Sequence, residues 1–202
     1  MKQTIKAAFL IVLLTVGLAE PIVAGPLEDG YAAYKRSDFK TALRLWRPLA
    51  EHGSAEAQTN LGNMYRIGQG VRQNYAQALK WYLLAAEQGE AVAQYNLGNR
   101  YRNGRGVRRQ NYLEALKWYR LAAEQGLADA QFSLGLMYDN GEGVMRDFVQ
   151  AYKWYNLAAL RFPITQRVRR DRAVNRREIV AAKMTPAQIA EAEMLVRDWM
   201  PK

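Results

Sequence analysis

The sequence predicts an all-α fold built as a stack of helix pairs. Three observations predict it. The stretch from Ala55 to Leu160 says nearly the same thing three times, with Leu61-Gly62, Leu97-Gly98 and Leu134-Gly135 recurring at spacings of 36 and 37 residues. A period of that size marks units that bury their apolar faces only by stacking on a neighbour. Within a copy, apolar residues recur four apart, as in Ala93, Leu97 and Tyr101, which is one face of a helix. Each copy is also punctuated by a glycine turn: Gly68-Gln69-Gly70-Val71, Gly104-Arg105-Gly106-Val107 and Gly141-Glu142-Gly143-Val144.

Residues 1–24 read as a secretory signal. Lys2 and Lys6 give a positive start, and Ala7 to Ala19 form an apolar run shorter than the ~20 residues of a membrane span. Cleavage is placed after Ala24, with Ala19 as second choice and a retained anchor as the alternative. Residues 25–54 carry a degraded copy of the repeat. Asp38 takes its N-cap position, Ala42, Trp46 and Ala50 its inner face, and Gly30 to Arg36 a shortened first helix. This is the atypical first unit that a stack needs.

Three fuller units follow, at 55–89, 90–126 and 127–162. In each, the first helix carries a glycine on its inner face (Gly62, Gly98, Gly135). A glycine inside a helix costs ~1 kcal/mol against alanine, so its threefold use predicts a close approach by another helix. The turn glycines fall where a helix ends in the left-handed conformation. A phosphate-cradling loop is excluded by context, since no strand precedes and no Gly-Lys-Ser/Thr follows. Asn74, Asn111 and Asp147 then precede Tyr75, Tyr112 and Phe148, with Gln77, Glu114 and Gln150 three residues after each cap. That is a capping-box pattern. In the second helix Ala78, Tyr82 and Ala85 share a face, and Trp81, Trp118 and Trp154 form a packing stripe between units.

Residues 163–202 leave the repeat. Pro163 breaks the chain, and Gln166 to Lys183 predicts a helix of poor amphipathicity, with Val168, Ile179 and Ala182 as its best apolar face. Thr185-Pro186-Ala187-Gln188 then starts a well-capped helix whose Ile189, Ala192, Val196 and Trp199 share one side. This helix is predicted to cover the open end of the last repeat.

The pattern Ala…Leu-Gly…Tyr…Gly-x-Gly-Val…Ala-x-x-Trp-Tyr…Ala-Ala-x-x-Gly resembles the Sel1-like repeat, a relative of the tetratricopeptide repeat. The resemblance covers roughly residues 29–160. It implies a right-handed α/α superhelical solenoid of antiparallel helix pairs that serves as a protein-interaction scaffold, similar to exported bacterial members. Some disulfide-rich members are associated with β-lactam binding or hydrolysis. This chain has no cysteine and departs from that subgroup.

The 202 residues include 29 Lys and Arg against 19 Asp and Glu. Without residues 1–24 the balance is 27 basic to 18 acidic, and six of the nine excess charges fall in 161–183. Arg167, Arg169, Arg170, Arg172, Arg176 and Arg177 make that run. It has no interleaved aromatics, and export removes nucleic acid as a partner. An anionic membrane, an acidic envelope polymer or an acidic protein face is the alternative contact, and a solvated helix the plain one.

Catalytic chemistry finds no constellation. His52 is the single histidine and has no cysteines to join it in a zinc site. Ser37-Asp38-Phe39-Lys40 spells Ser-x-x-Lys, but Asp38 is a helix cap and the companion Ser-Asp-Asn and Lys-Thr-Gly are absent. Glu51, Glu87 and Glu124 repeat at one register, whereas an acid–base pair needs unlike environments. No catalytic residue, metal or cofactor is expected.

The sequence thus predicts an exported, periplasmic scaffold that holds a protein or peptide on its concave face, commonly lined by the first helix of each pair. The candidate contacts are Thr59, Asn63 and Arg66, then Tyr95, Asn99 and Arg102, then Phe132, Leu136 and Asp139, each trio spaced i, i+4, i+7. A cell-wall-active hydrolase and a basic tether are the competing readings.

Overall fold

The computed structural model describes residues 25–199; the predicted leader lies outside them. The described residues form ten α-helices, α1 (Pro26–Lys35), α2 (Phe39–Glu51), α3 (Ala55–Ile67), α4 (Tyr75–Glu87), α5 (Ala91–Asn103), α6 (Tyr112–Glu124), α7 (Ala128–Asn140), α8 (Phe148–Arg161), α9 (Arg167–Ala181) and α10 (Pro186–Trp199). A 3₁₀ turn, Ile164–Gln166, joins α8 to α9. From α1 to α9 each helix packs on the one that follows it, so the pairs stack in single file, and α10 returns to pack on α8. No strand occurs among the described residues. None of their helices is long and apolar enough to cross a membrane.

The inner-face glycines do admit a close neighbour, but it is a ring and not a helix backbone. A Cβ on Gly98 would sit 2.6 Å from the Tyr119 ring; Gly62 faces Tyr82 and Gly135 faces Tyr155 in the same way. All three tyrosines are fully buried. In the first unit Gly30 receives Trp46, whose Nε1–H donates to the Leu27 carbonyl at 3.1 Å. The helix α1 begins earlier than the sequence pattern suggests, because Pro26 at its start and Glu28 and Asp29 in its first turn suit a helix N-terminus.

Half of each predicted capping box forms. Asn74 Oδ1 accepts from Ala76 and Gln77 N–H, Asn111 Oδ1 from Leu113 and Glu114 N–H, and Asp147 Oδ1 from Gln150 N–H alone. The reciprocal bond from Gln77, Glu114 and Gln150 is replaced. The N–H groups of Asn74, Asn111 and Asp147 donate instead to the carbonyls of Tyr65, Tyr101 and Tyr138, at 2.9 to 3.0 Å. That tie closes the turn between the two helices of a pair. Only α10 has the complete box, with Thr185 N–H donating to Gln188 Oε1 and Gln188 N–H to Thr185 Oγ1.

A buried glutamine joins each unit to the one before. Gln58, Gln94 and Gln131 donate Nε2–H to the carbonyls of Ala50, Ala86 and Ala123, near the end of the preceding even helix. Gln88 and Gln125 then donate to the Oε1 atoms of Gln58 and Gln94. Arg161 stands at that register after the third repeat and turns its guanidinium over Trp199, so Gln131 Oε1 is buried with no partner.

The C-terminal pair corrects one expectation. The helix α9 does not bury Val168, Ile179 and Ala182; Val168 is 83% exposed. Ala173 and Val180 face inward instead, because the small Ala173 lets α9 lie against α8, where the first helix of a fourth repeat would pack. The helix α10 packs on α8 as predicted, with Ala192 and Val196 buried and Trp199 set edge-on to Trp154 at 6.1 Å.

Candidate functional site

The helices α3, α5 and α7 present the first-helix face of the stack. One line along it is Glu56, Asn60, Asn63 and Ile67 on α3, and Val92, Asn96, Asn99 and Asn103 on α5. The spacing i, i+4, i+7, i+11 keeps each set on one side of its helix. Asn63 and Asn99 lie on this line and also in the predicted trios. Tyr82 Oη–H donates to Asn63 Oδ1 at 2.7 Å, and Tyr119 Oη–H to Asn99 Oδ1 at 2.8 Å. Each bond occupies the amide oxygen and leaves the NH₂ as donor toward a ligand. Burial pushes Tyr82 up to about 12 and raises Tyr119 and Tyr155 as well. These hydroxyls stay protonated donors at neutral pH.

Of the other members of the trios, Thr59, Phe132 and Asp139 are buried, and Arg66, Tyr95, Arg102 and Leu136 are half-buried like the two asparagines. Thr59 is buried, its Oγ1–H on the Ala55 carbonyl at 2.9 Å. Tyr95 is half-buried, 5.8 Å from the Tyr119 ring. Arg102 grips Glu142 of the next glycine turn with two bonds, 2.7 and 3.1 Å. Arg66, one repeat earlier, has no such partner in the ion pairs of the described residues. Phe132 is buried against Tyr155, with the Arg172 guanidinium 4.9 Å above it. Leu136 replaces the asparagine at its register and is half-buried. Tyr155 therefore donates one turn further on, to the buried Asp139 at 3.3 Å.

The arginine run lies along the last part of this face. Arg169 pairs with Asp129 at 2.9 Å, Arg176 approaches Asp139, and Arg177 donates to Asn156 at 2.9 Å. Arg167 pairs with Asp171 on its own helix, and Arg170 is half-buried. Tyr95, Asp129, Phe132, Phe162, Arg169 and Arg172 line a cleft of about 250 Å³ where α9 meets α7. In sequence these arginines form one patch, because nothing local shows that Asp129 and Asp139 lie opposite them.

Elsewhere the candidates stay apart. Ser37 is exposed in a left-handed turn at φ 63°. His52 is exposed beside the Pro48 carbonyl, and Glu51, Glu87 and Glu124 are exposed. No cluster of metal-ligating side chains occurs among the described residues.

The Sel1 repeat profile matches residues 55–90, 91–127 and 128–161. The chain belongs to the Sel1 repeat family. Among solved structures it is similar to a protective antigen present in uropathogenic Escherichia coli strains displaying an SLR fold, at 33% identity and TM-score 0.71, over 85% of this chain and 38% of that one. It is also similar to a Sel1 repeat protein from Oxalobacter formigenes, at 32% identity and TM-score 0.65, over 85% of this chain and 74% of that one. The chain thus spans well under half of the first relative's length. No curated protein matches. Sel1 repeat proteins are generally non-catalytic scaffolds that bind protein partners, and this stack is a scaffold suited to that role.

Proposed function

We propose that this Sel1 repeat protein is exported to the periplasm and holds a protein or peptide partner along the face made by α3, α5 and α7. The observation that carries the reading is the pair of pinned amides, Asn63 and Asn99. The same tyrosine hydroxyl bond fixes each at the same register of successive repeats. Donors fixed at a regular interval suit an extended peptide, whose carbonyls recur along its length. Arg66, Tyr95 and Arg102 flank them and belong to residue types common at binding hot spots. The charged, early-ending leader supports export.

A photocrosslinking side chain placed in intact cells tests the surface. At Asn63 or Asn99 it should trap one common partner, and at the exposed Lys80 or Lys117 of the second helices it should trap none. Trapping from Lys80 and Lys117 alone would move the interface to the other face. N-terminal sequencing of the periplasmic protein should read from Gly25.

A further inference from the structure

The junction between α3 and α5 gathers positive charge that the fold leaves unneutralised. Arg100 stands in α5 where the neighbouring repeats place the fully buried Met64 and Met137. It is only 6% exposed, and its Nε and Nη1 are buried with no acceptor. The Nε of Arg66 in α3 is in the same condition. Stacking over Tyr75, 5.3 Å from the ring centre, offsets part of the Arg100 charge. Burial lowers its pKa, and the charges of Arg66 and the exposed Arg105 lower it further. No carboxylate among the described residues pairs with any of them.

The next junction shows what suits this position. Arg102 occupies the register of Arg66, and Glu142 that of Arg105, in the middle of the glycine turn. The Glu142 carboxylate takes both Arg102 nitrogens, at 2.7 and 3.1 Å. One junction therefore carries its own carboxylate, and the other carries an arginine in its place. Guanidinium forks match a carboxylate two bonds at a time. Asn63, pinned by Tyr82, lies one turn before Arg66 on the same helix.

We propose that Arg66, Arg100 and Arg105 form a binding site for a side-chain carboxylate of an acidic peptide lying on the α3–α5 face. This deepens the groove reading and names the chemistry of the occupant.

The test uses a fluorescent hexaglutamate peptide on the purified chain, with hexaglutamine as the neutral control. Arg100→Met installs the residue of the sister repeats, so the fold should survive. Arg105→Glu copies Glu142 and should occupy Arg66 from within while the melting temperature holds or rises. Each variant should weaken hexaglutamate binding by roughly tenfold or more, as loss of a charge-assisted contact implies. Arg108→Glu, the same charge change in the same turn, should weaken it by no more than about twofold, the effect of a screened surface charge. Equal binding by Arg100→Met and the parent chain would overturn the site, as would equal losses in Arg105→Glu and Arg108→Glu or no preference over hexaglutamine. Hexaglutamate binding that needs the triad, with crosslinked partners only at Lys80 and Lys117, would keep this site and sink the groove reading. The opposite pattern would sink the site alone.

Discussion

At the scale of single residues, the fold turns on what a glycine admits and what a polar atom finds. Gly98 admits the Tyr119 ring, which is fully buried and has nowhere to retreat. Gly98→Ala gains ~1 kcal/mol of helix propensity. It meets an overpacking cost of about 1–3 kcal/mol, which should win and lower the melting temperature. Pairing it with Tyr119→Leu should give less than the sum of the two losses, because the clash is shared; additive losses would show that the ring is not the obstacle. The Arg102–Glu142 pair has a pH signature. The bonds from Arg102 hold the Glu142 carboxyl below its ordinary range. Its stabilisation is present above the unfolded-state value near 4.5 and fades as pH falls through the lower folded value. Glu142→Gln should therefore melt lower than the parent at neutral pH and converge with it in acid; a gap unchanged by pH would refute the ion pair as its cause. The glycine register could be read from the sequence because a poor helix former recurs at one place. The glutamines recur as regularly, yet their partner is a carbonyl of the preceding unit, and periodicity does not display it.

At the scale of elements, helix limits and caps were readable because they depend on neighbours within four residues. Asn74, Asn111 and Asp147 cap the helices they precede. The second half of the box was not readable, since the competing carbonyls of Tyr65, Tyr101 and Tyr138 arrive from the helix before. The helix α9 shows the same limit more sharply. Its buried side is only Ala173 and Val180, too sparse to outweigh the apolar side chains that stay outside. The helix α10 is the reverse case, with its own capping box and an apolar stripe. Burial of Val196, with Ala192 beside it and Trp199 against Trp154, contributes on the order of 1.5–3 kcal/mol per large side chain. Ending the chain after Lys183 uncovers this side of α8 but keeps α9 and its arginines. The shortened protein should melt lower and self-associate, read by calorimetry and sedimentation. An unchanged melting point in a monomer would show that residues 184–202 do not cap the stack.

At the scale of the whole molecule, one chemical feature repeats through the core. Tyr82, Tyr119 and Tyr155 occupy one register in three consecutive units, and burial raises all three. Each must stay neutral to remain folded, since its hydroxyl donates to Asn63, Asn99 or Asp139. In the unfolded chain they ionise near the ordinary value of 10.0, while Tyr82 folded holds its proton to about 12. Between those values the unfolded state binds fewer protons, so stability is full below pH 10 and falls as pH rises. The slope is ~1.4 kcal/mol per pH unit for each tyrosine, or ~4 for three titrating together. Across the two units between 10.0 and about 12 that slope removes about 8 kcal/mol, comparable to a typical net stability of ~5–15 kcal/mol. The units are joined by the glutamine bonds and have little core of their own, so they should open together. An alkaline titration followed by tyrosinate absorbance and helical circular dichroism should therefore show the absorbance of three tyrosinates rising together with the loss of helix above pH 10. Tyr119→Phe keeps the ring over Gly98 and removes one ionisation, so it should move that transition to higher pH. If the parent forms one more tyrosinate than Tyr119→Phe while helicity stays intact, the buried ring is reached by solvent within the folded stack.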